Sequence, residues 1–283
     1  MGVDPGAILI TGCSSGIGEA TARRLAERGH TVFATARKLD SIAGLGDAGC
    51  HTLTLDVNDE GSMRTAVAAI EAEHGAVGSL VNNAGYSQSG AIETLPIDLL
   101  RAQFETNVFG LVRMCQLVLP GMRNAGRGRI VNLSSMGGKL TFPGGGAYHA
   151  TKHAVEALSD ALRFEVAGFG VQVVVIEPGL IRTRFGKTAA GSLGGEVPAD
   201  GAYARFNAAV GKLTLGVYEG PMARLGAGPE AVARAVERAL TTSRPRPRYP
   251  VTASARGALW GRRLLPDRAW DALMRTQFPR PGR

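Results

Sequence analysis

The chain has 283 residues, 45% hydrophobic and 20% charged, enough for one α/β domain and without the composition of a disordered chain. Its formal charge of +8 is unevenly placed: from Arg244 to Arg283 ten arginines face only Asp267 and Asp271, so the tail carries the whole excess. A neutral body of this kind excludes a uniformly basic nucleic-acid binder.

The opening "MGVDPGAILIT" has no basic n-region or signal h-region, and Gly6 stands where a myristoylation motif wants Ser or Thr. Cys13, Cys50 and Cys115 show neither CxxC spacing nor an even disulfide framework. With no apolar run of about 18 residues, a cytoplasmic protein is expected.

"AILIT" (Ala7–Thr11) reads as a buried strand, and the helix after it carries Ile17, Ala20, Leu25 and Ala26 at helical spacing before Gly29 stops it. "TVFATA" and "HTLTLDV" are a second and third strand. "DEGSMRTAVAAIEAEHG" is a helix between an acidic start and a glycine stop, and "SLVNNAG" is a fourth strand with its exit loop. A long helix is expected near Leu99–Leu119, a fifth strand at "GRIVNLSS", a helix over about Ala147–Gly168 and a sixth strand at "VQVVVIEPG". Near-continuous apolar strands alternating with helices predict a Rossmann-type doubly wound parallel sheet in three layers, α/β/α.

From Leu180 to Gly228 the regularity fades, which predicts a mobile, substrate-covering lid at about 180–228. Phe185, Phe206, Leu213, Leu215, Tyr218 and Met222 are its candidate apolar walls; the plainer reading is that they only pack the lid. "GPEAVARAVERALTT" is a clear helix with Pro229 at its start. The basic extension, about 244–283, suggests two short amphipathic helices split by Pro266. Docking on the chain itself or on a second subunit is preferred, with peripheral membrane contact as the alternative.

"TGCSSGIG" joins the first strand to its helix. Gly12, Gly16 and Gly18 let the backbone turn tightly and approach a pyrophosphate, the helix N-terminus offers free N–H groups, and Ser14 and Ser15 add hydroxyl donors. Arg37 follows the second strand where NAD-binding folds place an acid; a guanidinium suits a 2′-phosphate, so NADP(H) is favoured over NAD(H). Asp56, at the end of the third strand, can accept from an adenine amino group, and Asn82–Gly85 brings small residues near the cofactor.

Tyr148 and Lys152 stand four apart and share a helix face. A free phenol titrates near pH ~10; a nearby ammonium favours its phenolate, which suits it to proton exchange with a developing alkoxide. Ser135, thirteen residues upstream in "NLSS", can hydrogen-bond the substrate oxygen. His149 and His153 share a face too, but no third metal ligand accompanies them, so no metal is expected. Asn132 formally begins a glycosylation sequon inside a buried strand and is set aside; Cys13 reads as a small core residue.

Taken in order, "TGCSSGIG", "NNAG", "FETNVFG", "NLSS", "YHATK" and "PGLIRT" closely resemble the single-domain subtype of the short-chain dehydrogenase/reductase family, over about Ala7–Thr183. A softer similarity points to its steroid- and retinol-dehydrogenase side. The resemblance implies Tyr148 as general acid/base, Lys152 as ribose holder and modulator of the tyrosine, Ser135 as carbonyl orienter and Asn107 as support for a water-linked proton path. The cofactor set it implies adds Ile17, Val57, Asn83, Ala84 and Gly85, with Pro178, Gly179, Ile181 and Thr183 on the nicotinamide side. Ser15 departs from those NADP-using members that carry a basic residue there, which leaves Arg37 as the main phosphate partner. An NADP(H)-dependent oxidoreductase of lipophilic alcohols, ketones or aldehydes is expected, in a homodimer or homotetramer. A non-catalytic NADP(H)-binding regulator and an epimerase are the alternatives.

Overall fold

The structure is a computed structural model describing residues 3–193, 201–219 and 225–281. Among these, seven strands make one all-parallel sheet in the order β3-β2-β1-β4-β5-β6-β7. They are β1 (Ile8–Ile10), β2 (Val32–Ala36), β3 (His51–Thr54), β4 (Ser79–Asn82), β5 (Gly128–Leu133), β6 (Val171–Glu177) and β7 (Arg248–Pro250). The helices are α1 (Gly16–Glu27), α2 (Ala43–Gly46), α3 (Glu60–His74), α4 (Ile97–Phe104), α5 (Gly110–Asn124), α6 (Gly146–Glu165), α7 (Phe185–Gly191), α8 (Ala204–Glu219), α9 (Pro229–Thr241), α10 (Ala253–Leu264) and α11 (Asp267–Gln277).

The two-residue period of each strand sends alternate side chains to opposite faces. Leu9, Phe33, Leu80, Ile130 and Val173 join Met63, Met114 and Val155 of α3, α5 and α6 in one core. Ile8, Ile10, Val32, Val81, Val131 and Val174 join Leu25 of α1 and Val232, Val236 and Leu240 of α9 in the other. Both faces are covered, so the inner strands are largely apolar, while the edge strand β3 (HTLT) is exposed at both its ends. α9 begins with Pro229 at its N-terminus and buries Val232, Val236 and Leu240 completely; burying a side chain of that size stabilises by about 1.5–3 kcal/mol. Its C-terminal carbonyls, at Ala239, Leu240 and Thr242, accept from the buried Arg129 at 2.6, 2.8 and 2.7 Å.

β1 pairs with β2 on one side and β4 on the other, so chain order reverses there; α1 after β1 covers one face of the sheet and α5 beyond β4 the other, and the ends of these strands are where such a fold has its crevice.

Four expectations need correction. The third strand ends at Thr54, and Asp56 lies in the turn beyond it, where its carboxylate accepts from Asn58 N at 3.0 Å. The long helix near Leu99–Leu119 is α4 and α5 joined by one π-helical turn, Glu105–Phe109. The segment at about 180–228 is not irregular throughout: among its described residues it holds α7 and α8. The sheet has a seventh strand, β7, that the apolar pattern did not announce.

The tail forms α10 and α11 on either side of Pro266, and it packs on the chain itself. Ala255 is fully buried, Trp270 Nε1 donates to Thr141 O at 3.4 Å, and Phe278 packs on the cluster of Ala91, Phe206 and Val210. Among the described residues no helix is long and apolar enough to cross a membrane.

Candidate active site

Gly12 and Gly16 adopt φ of 73° and 63°, where a side chain is strained. A Cβ on Gly12 would lie 2.8 Å from Ala84 Cα, and one on Gly18 would lie 2.4 Å from Gly12 O and 2.5 Å from Asn83 Nδ2. The two crevice loops are therefore in backbone contact, and the hydrogen bonds agree. Thr11 Oγ1 accepts from Asn83 N and Ala84 N, both at 3.0 Å, while Asn83 Nδ2 donates to Thr11 O and Gly12 O, both at 2.9 Å. Thr11 is a supporting residue that the motif reading passed over; its place before Gly12 was the available signal.

Ser14 and Ser15 are exposed, and Ser15, though the N-cap of α1, makes no capping bond through its hydroxyl. The first N–H groups of α1 thus face the crevice without a side-chain acceptor from Ser15, which suits them to an anion. Ile17 is half-buried beside them. Arg37 is exposed directly after β2 and makes no ion pair among the described residues. Cys13 is fully buried, and desolvation pushes its thiol up to about 12, so it is no reactive thiolate. Val57 is buried against Gly110, where a Cβ would lie 2.5 Å from Val57 O.

Asn107 sits in the π turn and is almost wholly buried. Its Oδ1 accepts from Tyr86 N at 3.0 Å; its Nδ2 donates to Tyr86 O at 2.9 Å and to Thr151 Oγ1 at 3.1 Å. Thr151 Oγ1 in turn donates to Tyr148 O at 2.7 Å. Asn107 thereby ties the loop after β4 to the first turn of α6. A Cβ on Gly85 would lie 3.0 Å from Asn107 Oδ1 and 3.9 Å from Lys152 Nζ, so Gly85 opens the space between them. Thr151 and Gln103, which donates to Tyr86 O at 2.7 Å, are further supports that carried no sequence signal beyond their positions.

Lys152 is buried on α6, and its Nζ donates to Leu133 O at 2.7 Å at the end of β5. Desolvation brings its pKa down from 10.5 to about 8, against the pull of Glu156 in the other direction. Its ammonium lies 5.8 Å from the centroid of the half-buried Tyr148 ring. Phe185, from α7, stands 5.5 Å from that ring. Ser135 follows β5 at the head of a tight turn; its Oγ accepts from Gly137 N at 3.1 Å, and Met136 N donates to Pro178 O at 2.9 Å, joining this turn to the exit of β6.

The exit of β6 divides. Thr183 lies against the glycine loop, since a Cβ on Gly16 would come 3.3 Å from its Cγ2. Gly179 backs instead onto the start of α10, where a Cβ would lie 2.2 Å from Thr252 Oγ1. Ile181 is buried and bridges to Ala227.

His149 packs between Gly137 and Gly145, with Nδ1 3.2 Å from Gly137 O; burial pushes it down to about 4, so it is neutral. His153 Nδ1 lies 2.9 Å from His149 O. Both rings thus spend Nδ1 on backbone carbonyls, and no group of three or more metal-binding side chains occurs among the described residues.

Of the candidate lid walls, Phe185 meets Tyr148, whereas Phe206 is buried with Ala91 and Val210 and fastens α8 to the loop after β4. Leu213 is half-buried and Leu215 exposed; Met222 and the Tyr218 side chain lie outside the described residues. Ser192 closes α7 onto the same loop, donating to Ser87 O at 2.8 Å and accepting from Ser89 N at 3.1 Å. A separate groove of about 640 Å³ between α11 and Lys139–Pro143 is lined by His153, Trp270, Met274 and Phe278 and does not include Ser135, Tyr148 or Lys152.

Residues 6–192 match the family model described as short chain dehydrogenase. A 3-ketodihydrosphingosine reductase of Bacteroides thetaiotaomicron is 44% identical over 183 residues, 65% of this chain and 66% of that protein. An NADPH-dependent 3-dehydrocapnine reductase of Ornithobacterium rhinotracheale is 34% identical over 275 residues, 94% of each chain. A crystal structure of a short-chain dehydrogenase from Streptomyces avermitilis superposes with a TM-score of 0.77 at 34% identity, covering 95% of this chain and 93% of that one. Parallel sheet, glycine crevice and matching relatives agree, and the chain belongs to the short-chain dehydrogenase/reductase family of nicotinamide-dependent oxidoreductases.

Proposed function

We propose that this oxidoreductase uses NADP(H) to interconvert a lipophilic alcohol and its ketone or aldehyde, with Tyr148 as the proton donor and acceptor. The observation that carries the reading is the dry ammonium of Lys152, held by Leu133 O and set 5.8 Å from the Tyr148 ring. A cation with little water around it acts strongly on its neighbours, and it favours the charged form of a nearby phenol. A bound nicotinamide supplies or takes the hydride. Tyr148 gives the proton to the carbonyl oxygen, Ser135 orients that oxygen, and Lys152 steadies the phenolate and the cofactor ribose. Asn107 holds the loop after β4 and the start of α6 at fixed separation. Ile17, Asp56, Val57, Asn83, Ala84 and Gly85 line the cofactor's crevice, and Pro178, Gly179, Ile181 and Thr183 shape its far side.

The cofactor preference rests on Arg37. Exposed and without an ion pair among the described residues, it is free to take a 2′-phosphate as a planar fork. Arg37→Ser is expected to weaken NADPH binding about ten- to a hundredfold and leave NADH binding unchanged; fluorescence titration with both cofactors checks it. Equal losses for the two would sink the assignment.

The substrate class rests on the lid, about 180–228, whose Phe185 lies beside Tyr148. The two relatives above are named as reductases of a 3-keto and a 3-dehydro compound, which favours a ketone. Absorbance at the nicotinamide band, followed with lipophilic ketones, aldehydes and alcohols, tests the reaction in both directions.

The extension at about 244–283 also offers a surface. Ala253, Gly257, Trp260 and Leu264 share the outer face of α10, with Trp260 64% and Leu264 72% exposed and Arg256 and Arg263 on one flank. Tryptophan and leucine beside arginine suit the surface of an anionic membrane. Vesicles containing phosphatidylserine are expected to sediment the native chain and to release it on Trp260→Ala with Leu264→Ala. No sedimentation of the native chain would end this reading.

A further inference from the structure

Glu156 and Glu177 are buried beneath the site, and the reading above gives neither a role. Glu156 follows Lys152 by one turn of α6; Glu177 ends β6 and is bonded to Pro178. Glu156 Oε2 receives Lys139 Nζ at 3.1 Å and Arg248 Nε at 3.0 Å, and Glu177 Oε1 lies 3.4 Å from the same Arg248 Nε. Asp160, a turn further along α6, takes the other end of Arg248, and Arg163 reaches Asp160 at 2.7 Å. Glu156 Oε1, by contrast, is buried with no hydrogen-bond partner among the described residues.

We propose that Glu156 and Glu177 share one proton between their carboxyl groups, and that the pair is a positioning device for the hydride-transfer site. The second part rests on the reading that Ser135, Tyr148 and Lys152 carry the chemistry.

A buried acceptor calls for a donor. A protonated Glu177 supplies one to Glu156 Oε1. Two carboxylates in one dry pocket also resist ionising together. Burial and the Glu156 charge push Glu177 up to about 7, while Arg248 and Lys139 pull in the opposite direction. The groups facing the pair come from every side: Lys139 after the Ser135 turn, Lys152 and Asp160 on α6, and Arg248 on β7.

The shared proton would join the segments that hold the site. Glu156 belongs to the helix of Tyr148 and Lys152, and Glu177 leads into Pro178, whose carbonyl receives Met136 N at 2.9 Å. The turn of Ser135 rests on Glu156 directly, because a Cβ on Gly138 would lie 2.9 Å from Glu156 Cγ and 2.6 Å from Ser134 Oγ. Ser134 Oγ, also buried without a partner, is the rival donor for Glu156.

The sign of the pH effect follows. With the Glu177 value raised from 4.5 to about 7, the folded chain holds more protons than the unfolded one between those limits. Stability from this group therefore falls as pH rises through that window and is fully lost above it.

Infrared spectra of the intact chain near pH ~6, where ordinary carboxyl groups are ionised, should contain the C=O stretch of a protonated carboxylic acid. Glu177→Gln should remove that band and flatten the fall of the thermal midpoint between the limits above. Glu177→Ala should lower kcat/KM about ten- to a hundredfold, and Glu177→Gln, which keeps a donor, should recover most of it. Absence of the band, its survival in Glu177→Gln, or an unchanged pH slope in that variant overturns the shared proton, and none of these readouts needs turnover. Native kcat/KM in Glu177→Ala overturns the positioning role while leaving the reductase reading untouched.

Discussion

Tyr148→Phe is expected to lower carbonyl reduction by about 10²–10⁴-fold, the range over which a positioned general acid contributes. The ring contacts with Phe185 and His149 would remain, because phenylalanine keeps the ring. The helix would keep its place too, because Asn107 and Thr151 hold Tyr148 through its backbone carbonyl. NADPH affinity should therefore change little, and the loss should fall on kcat. Stopped-flow reduction at saturating NADPH, with affinity measured separately, checks the division. A loss confined to KM would assign Tyr148 to substrate binding alone.

Lys152→Met should have two effects of opposite sign. Turnover should fall about 10²–10³-fold, as when a preorganised electrostatic donor is removed. Stability should rise. Holding the ammonium in a dry site lowers its pKa from 10.5 to about 8, which corresponds to roughly 3 kcal/mol against folding at neutral pH. Between those two values the unfolded chain carries more protons at this group, so stability climbs with pH across the window, and the cost is full below it. Met fills the space without the charge but leaves Leu133 O unpartnered, which takes back about 1 kcal/mol. A net gain of about 1–2 kcal/mol is expected, read from urea midpoints at neutral pH, with the difference from the native chain shrinking as pH rises from about 8 towards 10.5. A variant that is both less active and less stable would contradict this account of the buried lysine.

What could be read from the sequence follows from where the physics is local. β6 is buried on both faces, so five of the seven residues of "VQVVVIE" are apolar and the strand announces itself. α9 buries one side at helical spacing, and the tail divides at Pro266 because proline ends a helix. The positions of the glycine loop and of Tyr148 and Lys152 needed only a strand, a turn and a four-residue spacing.

The rest depends on contacts distant in the chain. The π turn at Glu105–Phe109 reads as ordinary helix; what marks it is Asn107 bonding to the backbone of Tyr86, 21 residues away. β7 is three residues long and includes Pro250, so it has no pattern of its own, and Arg248 is held there by acids from α6 and β6. α8 is diluted by Asn207, Gly211 and Gly216, and among its described side chains the buried apolar ones are Phe206 and Val210. The glycine at 179 looked like part of a cofactor loop; that it also makes room for Thr252 required the tail to be in place. How deeply Lys152 is buried could not be read from a helix face, because neighbours distant in the chain, among them Gly85 and Leu133, surround its ammonium.

In the proposed reaction hydride passes from NADPH to a lipophilic carbonyl while Tyr148 supplies the proton. The most direct test uses NADPH carrying deuterium at C4 of the nicotinamide, in each stereoisomer, with a panel of lipophilic ketones and aldehydes and mass analysis of the products. The native chain should place one deuterium on the carbinol carbon from one stereoisomer only, and Tyr148→Phe should place almost none in the same time. Tight binding of NADPH with no deuterium in any product, across the panel and in both stereoisomers, would contradict the claim.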